Sequence, residues 1–537
     1  MPSTPFTWDF PYPSQRMPIL AANMVATSQP LAAQAGLSML ARGGNAVDAA
    51  IATAACMTVL EPTSNGLGSD SFAAVWDGKT LHGLNASGRA PKALGPSHFK
   101  GMTQMPKLGW EAVTVPGAIS GWVALSKKFG KLPFEELLAP AIGYAEKGYP
   151  VAPQTAHGWS ASARLYQKFP SWGQTFLRNG KGPQPGERVM LPDHAASLRL
   201  IAQTKGEAFY RGELAEKIAQ FAKSTGGFMT MEDLASHTAD WVDPISIDYR
   251  GYRLHELPPN GQGLAALIAL GMLRQRDLGS LHVDCPDVLH LEIEAMKLAF
   301  ADAHRYISDP KTMPVTPAQL LNEQYLNERA KLIDLEHAGD PQWGTPKPGG
   351  TILLIAADAS GMMVSYIQSN YEGFGSGIVV PHTGICMQNR GACFVLDEGH
   401  PNQIGGGKRP YQTIIPAFVS KPDENGVQQP VMSFGVMGGF MQPQGHLQVL
   451  TRLVDFKQNP QAALDAPRWQ VMKHRQVSIE PGFAPDIYTE LRRRGHELTV
   501  AAHQTVTFGG GQIIYRMDNG LYCGASDLRR DGQAAGF

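Results

Sequence analysis

The stretch from Gly349 to Gly377 reads GGTILLIAADASGMMVSYIQSNYEGFGSG and leaves the backbone few choices. Two glycines without a Cβ precede Thr351, and Ile352 to Ala357 is an apolar, β-type run. Asp358-Ala359-Ser360-Gly361 is turn chemistry, and a second alternating run extends from Met362 to Ser369. The period of two predicts a hairpin whose first residue is a threonine at a glycine hinge.

That position gives Thr351 a chemistry of its own. Cleavage between Gly350 and Thr351 would make the threonine an N-terminus. Its α-amine, with a reference pKa of about 7.7 to 8.0, would be partly neutral near pH 7 and able to take the hydroxyl proton. Before cleavage the same hydroxyl could attack the Gly350 carbonyl. Taken alone, Gly-Gly-Thr also reads as a loop entering an edge strand.

A chain of 537 residues with 43% hydrophobic residues can fill a large core. Its 46 basic residues balance 47 acidic ones, and the short basic run Arg492-Arg493-Arg494 reads as a solvated helix face, so no nucleic-acid partner is expected. The opening MPSTPFTWDFPYPSQRMPIL has prolines where an export signal needs an apolar run, no window is long enough to span a membrane, and five scattered cysteines suit a reducing compartment. The expectation is a cytoplasmic protein without a membrane partner.

Met24 to Ser28 reads as a strand, with Ser28 capping a helix from Pro30 to Arg42, and Asn45 opens a second helix rich in alanine. Phe72 to Trp76 and Thr80 to Asn85 form a hairpin leading to Ser87-Gly88-Arg89-Ala90-Pro91. Arg89 there reads equally as a fork for a substrate carboxylate and as half of an internal ion pair. His290 and Glu294 share a helix face, but HExxH is absent, so that helix is read as structural and no metal is expected. His337 to Gly350 is polar and rich in Pro and Gly, as a linker. GGGKRP at 405–410 lacks the spacing of a phosphate loop. Val431 to Val436 reads as a strand turning through Gly438 and Gly439 into a helix from Gln444, and the backbone N–H groups of that turn could hold an oxyanion.

GGNAVDAA followed by EPTSNGLG, and TILLIAADASGMMVSYIQSNYEGFGSGIVVPHTGICMQNRG after Gly350, resemble the large- and small-subunit openings of the γ-glutamyltranspeptidase family. The resemblance covers nearly the whole chain. It implies an α+β fold of the four-layer αββα N-terminal-nucleophile type, self-cleaved into a large segment 1–350 and a small segment 351–537 that remain one folded unit. It implies Thr351 as nucleophile, Ser369 as the second hydroxyl, and Gly438 and Gly439 as oxyanion donors. Gln412 and Thr413 fall where the family has paired serines, Tyr371, next to Asn370, where it has a polar residue, and Arg390 lies beside Asn389 in QNRGAC. No cofactor is implied.

The chain departs from the family at several points. The glycine run is changed to Ser69-Asp70-Ser71, the carboxylate-binding arginine is Ser87 with Arg89 two residues on, and the acid that meets a glutamyl α-ammonium is Cys393. The segment from Phe394 to Gly407 is short for a lid. A lost acid means that Asp397 or Glu398 reaches in or that the substrate has no α-ammonium, in which case Arg390 suits a second anionic group. The resemblance puts hydrolysis or transfer of γ-glutamyl amides such as glutathione first. An acylase for dicarboxylic monoamides, glutaryl or oxamate-like, is the rival, and an uncleaved binding protein the third reading, since Ile352 stands where many relatives have a second threonine.

Overall fold

The computed structural model describes residues 12, 16–341 and 350–537, with side chains from 353 onward in the last span. The stretch 342–349, most of the expected linker before Thr351, lies outside the described residues, as does most of the chain's opening.

Two seven-stranded sheets face each other. One runs, edge to edge, Gln533–Gly536, Met24–Thr27, Gly350–Ala357, Met363–Tyr371, Asp70–Trp76, Leu81–Ala86, Asp240–Val242. The other runs Ile19–Ala21, Tyr522–Ser526, Gly510–Arg516, Gln428–Met437, Ala417–Pro422, Tyr252–Glu256, Ile245–Tyr249. All these pairings are antiparallel. The Gly350–Ala357 strand packs across the interface on Gln428–Met437 and Gly510–Arg516.

Between the sheets lie alternate residues of the central strands, among them Phe72, Leu353, Ile355, Ile367, Phe418 and Ile514. The opposite faces are apolar too, because each is covered by helices, and these strands are therefore buried on both sides. Pro30–Ala41 and Ala46–Leu60 lie on the first sheet, Gly263–Leu273 and Met441–Val454 on the second. The four-layer αββα expectation is met.

Ala46–Leu60 is buried along its whole length, so small side chains, not an amphipathic stripe, shape it. Asn45 and Asp48 close a capping box at its start. A Cβ on Gly36 of the neighbouring helix would lie 2.3 Å from Thr53 Oγ1, which is why a glycine stands at that crossing.

Three local expectations are corrected. The first helix is capped by Gln29, whose side chain accepts from Leu31 N at 2.7 Å, because Ser28 donates to the buried Glu61 carboxylate at 2.6 Å. The helix expected from Gln444 begins at Met441, since Pro443 is tolerated in a first turn. Arg494, expected on a solvated face, is buried against Glu490 and Asp287.

Candidate active site

The register of the hairpin Gly350–Ala357/Met363–Tyr371 places Thr351 at an irregularity. Gly350 pairs with Tyr371 and Ile352 with Gln368, so Ser369 and Asn370 together oppose the single residue Thr351. A bulge of this kind disrupts the ladder where a strand must present a residue to chemistry. Ser369, on its other side, pairs with Asp70 of the next strand.

Immediately past the bulge Tyr371 has φ of 80°, a left-handed conformation that a bulky side chain adopts at a cost of about 1–3 kcal/mol. Its N–H donates to Ser369 Oγ at 2.8 Å. Its ring carries the guanidinium of Arg390, 4.6 Å from the centroid. Burial, with Cys393 and Glu372 nearby, pushes the Tyr371 hydroxyl well up, so it is a neutral phenol in contact with the Cys393 thiol.

Arg390 is fully buried. Nη1 donates to Thr413 Oγ1 at 2.6 Å and lies 4.0 Å from Cys393 Sγ, while Nε and Nη2 have no hydrogen-bond partner. Among the described residues no carboxylate oxygen lies within ion-pair distance of it. The nearby Asp70 carboxylate reaches it only through Gln412 and Thr413, so Nε and Nη2 remain for an anion bonded directly to the guanidinium.

The neighbours divide into scaffold and site. Asn389 donates to the Lys107 carbonyl at 2.9 Å and accepts from Glu372 N at 3.1 Å, and Asn370 accepts from Ser69 Oγ at 2.8 Å, so both spend their amides tying loops together. Gln412 donates to Asp70 Oδ2 at 3.0 Å and accepts from Thr413 N at 3.1 Å. Arg89, open to two readings in the sequence, bonds to Asp309 at 3.0 Å and the Gly407 carbonyl at 3.3 Å, with about a third of its side chain exposed.

Gly438 and Gly439, with φ of 128° and 62°, turn the strand Gln428–Met437 into the helix Met441–Val454. A Cβ on Gly438 would lie 3.1 Å from Gly509 Cα and from Met441 Cβ, so both dihedral and space require glycine. The Gly439 carbonyl is fixed by Gln262 Nε2 at 2.8 Å, which also holds the Thr413 carbonyl at 2.6 Å and so couples the two loops.

A cleft of about 670 Å³ opens beside Tyr371 and Cys393. His304, Tyr411 and Phe440 form a stacked aromatic wall with centroids 5.4 to 5.7 Å apart, and the short loop after Phe394 supplies Leu396, Asp397 and His400. A smaller cavity of about 290 Å³ reaches Gly438 and Gly373 from the other direction. His304 and Phe440 carry no sequence signal of their own and could not be singled out without the fold.

The donor atoms of His290, Glu294 and His496 lie within 4.8 Å of one another. They are bonded among themselves and to the chain, His290 to His496 at 2.8 Å and to the Asp334 carbonyl at 2.7 Å, Glu294 to Lys297 at 2.5 Å. With an ammonium on the carboxylate the cluster anchors the segment from Asp334 to Gly339 instead of forming a cation cage.

A family model described as Gamma-glutamyltranspeptidase matches residues 32–537. The chain is 34% identical over 522 residues to the glutathione hydrolase-like YwrD proenzyme of Bacillus subtilis, covering 96% of this chain and 98% of that one. It is 36% identical over 527 residues to the oxamate amidohydrolase proenzyme of Klebsiella pneumoniae, with 96% and 98% covered. A crystal structure of cephalosporin acylase from Bacillus halodurans superposes with a TM-score of 0.93 at 52% identity, covering 99% of both chains.

Proposed function

The chain belongs to the gamma-glutamyltranspeptidase family, and from that membership we propose that it is a self-processing amide hydrolase for dicarboxylic monoamides, acyl groups that end in a carboxylate. In processing, Thr351 Oγ attacks the Gly350 carbonyl, the peptide C–N bond breaks to give an ester and a free α-amine, and water hydrolyses the ester. Segments 1–350 and 351–537 result.

In turnover the Thr351 α-amine takes the hydroxyl proton as Oγ attacks the substrate amide carbon. The oxyanion is held by the N–H groups of Gly438 and Gly439 at the helix start, with Ser369 supporting the nucleophile. The C–N bond then breaks, the leaving amine takes the proton from the ammonium, and water or another amine attacks the acyl-threonine ester. The cleft's aromatic wall suits a bulky, flat amine.

The observation that carries the substrate assignment is the pairing of Arg390, fully buried with Nε and Nη2 unpartnered, with Cys393 in place of an acid that could meet an α-ammonium. A terminal carboxylate supplies a directly bonded anion for Nε and Nη2 in two charge-assisted bonds. Tyr371 and Cys393 line the cleft and Arg390 does not, so a carboxylate reaches the guanidinium once these two side chains move aside. Of two relatives, the name oxamate amidohydrolase agrees with a carboxylate-ended amide and the name cephalosporin acylase with amide hydrolysis. The second reading, γ-glutamyl hydrolysis or transfer, draws on Asp397, which lines the cleft and could meet an α-ammonium, and on the glutathione hydrolase-like name of a third relative.

Steady-state kinetics on glutaryl and γ-glutamyl anilides decide between them. The expected result is a kcat/KM for the glutaryl compound at least about tenfold higher, the equivalent of one misplaced charge. Preference for the γ-glutamyl compound would overturn the assignment.

A further inference from the structure

We infer that Asp70 is a positioning and specificity residue, which through Gln412 and Thr413 fixes Arg390 in the orientation that reads a carboxylate-ended acyl group. The inference rests on Arg390 being the acyl-carboxylate receptor.

The four residues are fully buried and joined end to end. Asp70 Oδ1 accepts from Gly88 N at 3.0 Å and Oδ2 from Gln412 Nε2 at 3.0 Å. Gln412 Oε1 accepts from Thr413 N at 3.1 Å, and Thr413 Oγ1 from Arg390 Nη1 at 2.6 Å. An ionised carboxylate can only accept, so it dictates which end of the Gln412 amide faces it and leaves the carbonyl end for Thr413 N. With Thr413 so held, its hydroxyl oxygen faces Arg390, one guanidinium nitrogen is tied down, and Nε and Nη2 are left for the ligand. Asp70 also pairs across the sheet with Ser369, which ties the acyl-end receptor to the strand beside that of Thr351.

Asp70 has no direct ion-pair partner among the described residues; Arg390 is its strongest electrostatic neighbour, one relay away. Burial pushes the carboxyl up to about 6, with Arg390, the Gly88 N–H, Arg409 and the Gly117 N–H pulling the other way. The remaining charged and titratable groups around it are held by partners of their own or by burial. Arg409 is bonded to Asp240 at 2.7 Å and the Ser87 carbonyl at 2.9 Å. The Tyr210 hydroxyl is pushed far up by burial, and His237 is held neutral by burial, with a pKa of about 3. Arg89 is occupied by Asp309. Protonation of Asp70 would turn one of its two accepting oxygens into a hydroxyl, so that the Gly88 N–H and the Gln412 amide could no longer both be held and the relay that orients Arg390 would loosen.

The test is the ratio of kcat/KM for glutaryl anilide to that for valeryl anilide, which has a methyl in place of the carboxylate, measured from pH 5 to 8 on the self-processed protein. In the wild type the ratio should fall as pH drops through about 6. In Asp70→Asn it should be about tenfold lower at pH 8, the effect of one misdirected charge-assisted bond, and flat through that window. A ratio and pH profile unchanged by Asp70→Asn would overturn the inference. A purely structural role would lower both substrates alike and leave the ratio standing, which also overturns it. Arg390→Gln separates the two levels: if it abolishes the ratio while Asp70→Asn does not, only the inference fails, and if it leaves the ratio intact, the reading of Arg390 fails with it. Should Asp70→Asn not fold, a wild-type ratio flat through pH 6 is the contradicting result.

Discussion

At the scale of single residues, Gly438 shows how a conformational requirement and a chemical one coincide. Its φ of 128° is open to few side chains, and a methyl group would press on Gly509 and Met441. Displacing the N–H proposed to hold the oxyanion would remove one element of transition-state stabilisation. Gly438→Ala is expected to lower kcat on glutaryl anilide by about 10²–10³, with a smaller change in KM; unchanged turnover would remove Gly438 from the oxyanion site. Thr351 can be singled out from the sequence as a candidate because everything that marks it, the glycine hinge and the apolar run after it, is local. From sequence Arg390 reads as a charge near the pocket that suits a second anionic group, without the partners that orient it. Its stacking on Tyr371 and its bond to Thr413 join positions 371, 390 and 413, which no periodicity links. Ser28 misled for the same reason, since its hydroxyl is taken by Glu61, 33 residues on.

At the scale of elements, the hairpins and helices follow from the period of the apolar residues, and most begin and end within a few residues of where that period puts them. What the pattern could not give is the polar joinery between elements. Asp527 is the clearest case, a buried carboxylate after the strand Tyr522–Ser526 that accepts from Arg468 at 2.6 Å, Arg529 at 3.1 Å and the Gly511 N–H at 2.8 Å. Burial alone would raise its pKa, but Arg468 and Arg529 outweigh it and hold the carboxyl down at about 2, below its ordinary 3.8. The depressed folded value means that the stabilisation is present above about pH 4 and is lost as pH falls toward 2. In urea unfolding, Asp527→Asn should be less stable than the wild type at pH 7 by on the order of 2 kcal/mol, and the gap should narrow at pH 3. A gap of the same size at both would contradict the ion-pair account.

At the scale of the molecule, the boundary between Gly350 and Thr351 does not divide the fold. The first sheet alternates strands from before it, Met24–Thr27 and Asp70–Trp76, with strands from after it, Gly350–Ala357 and Met363–Tyr371, and the second sheet mixes the two segments in the same way. This interleaving was invisible to a reading along the chain, although the family resemblance implied one folded unit. It means that a cut before Thr351 would leave two segments held by sheet hydrogen bonds and a shared core, separable only on unfolding. The most direct test is the intact mass of the purified protein, native and denatured, beside Thr351→Ala. The expected result is one native complex that separates under denaturation into fragments ending at Gly350 and beginning at Thr351, with the variant a single uncut chain. A single uncut chain in both, or cleavage that persists without the threonine hydroxyl, would contradict the account.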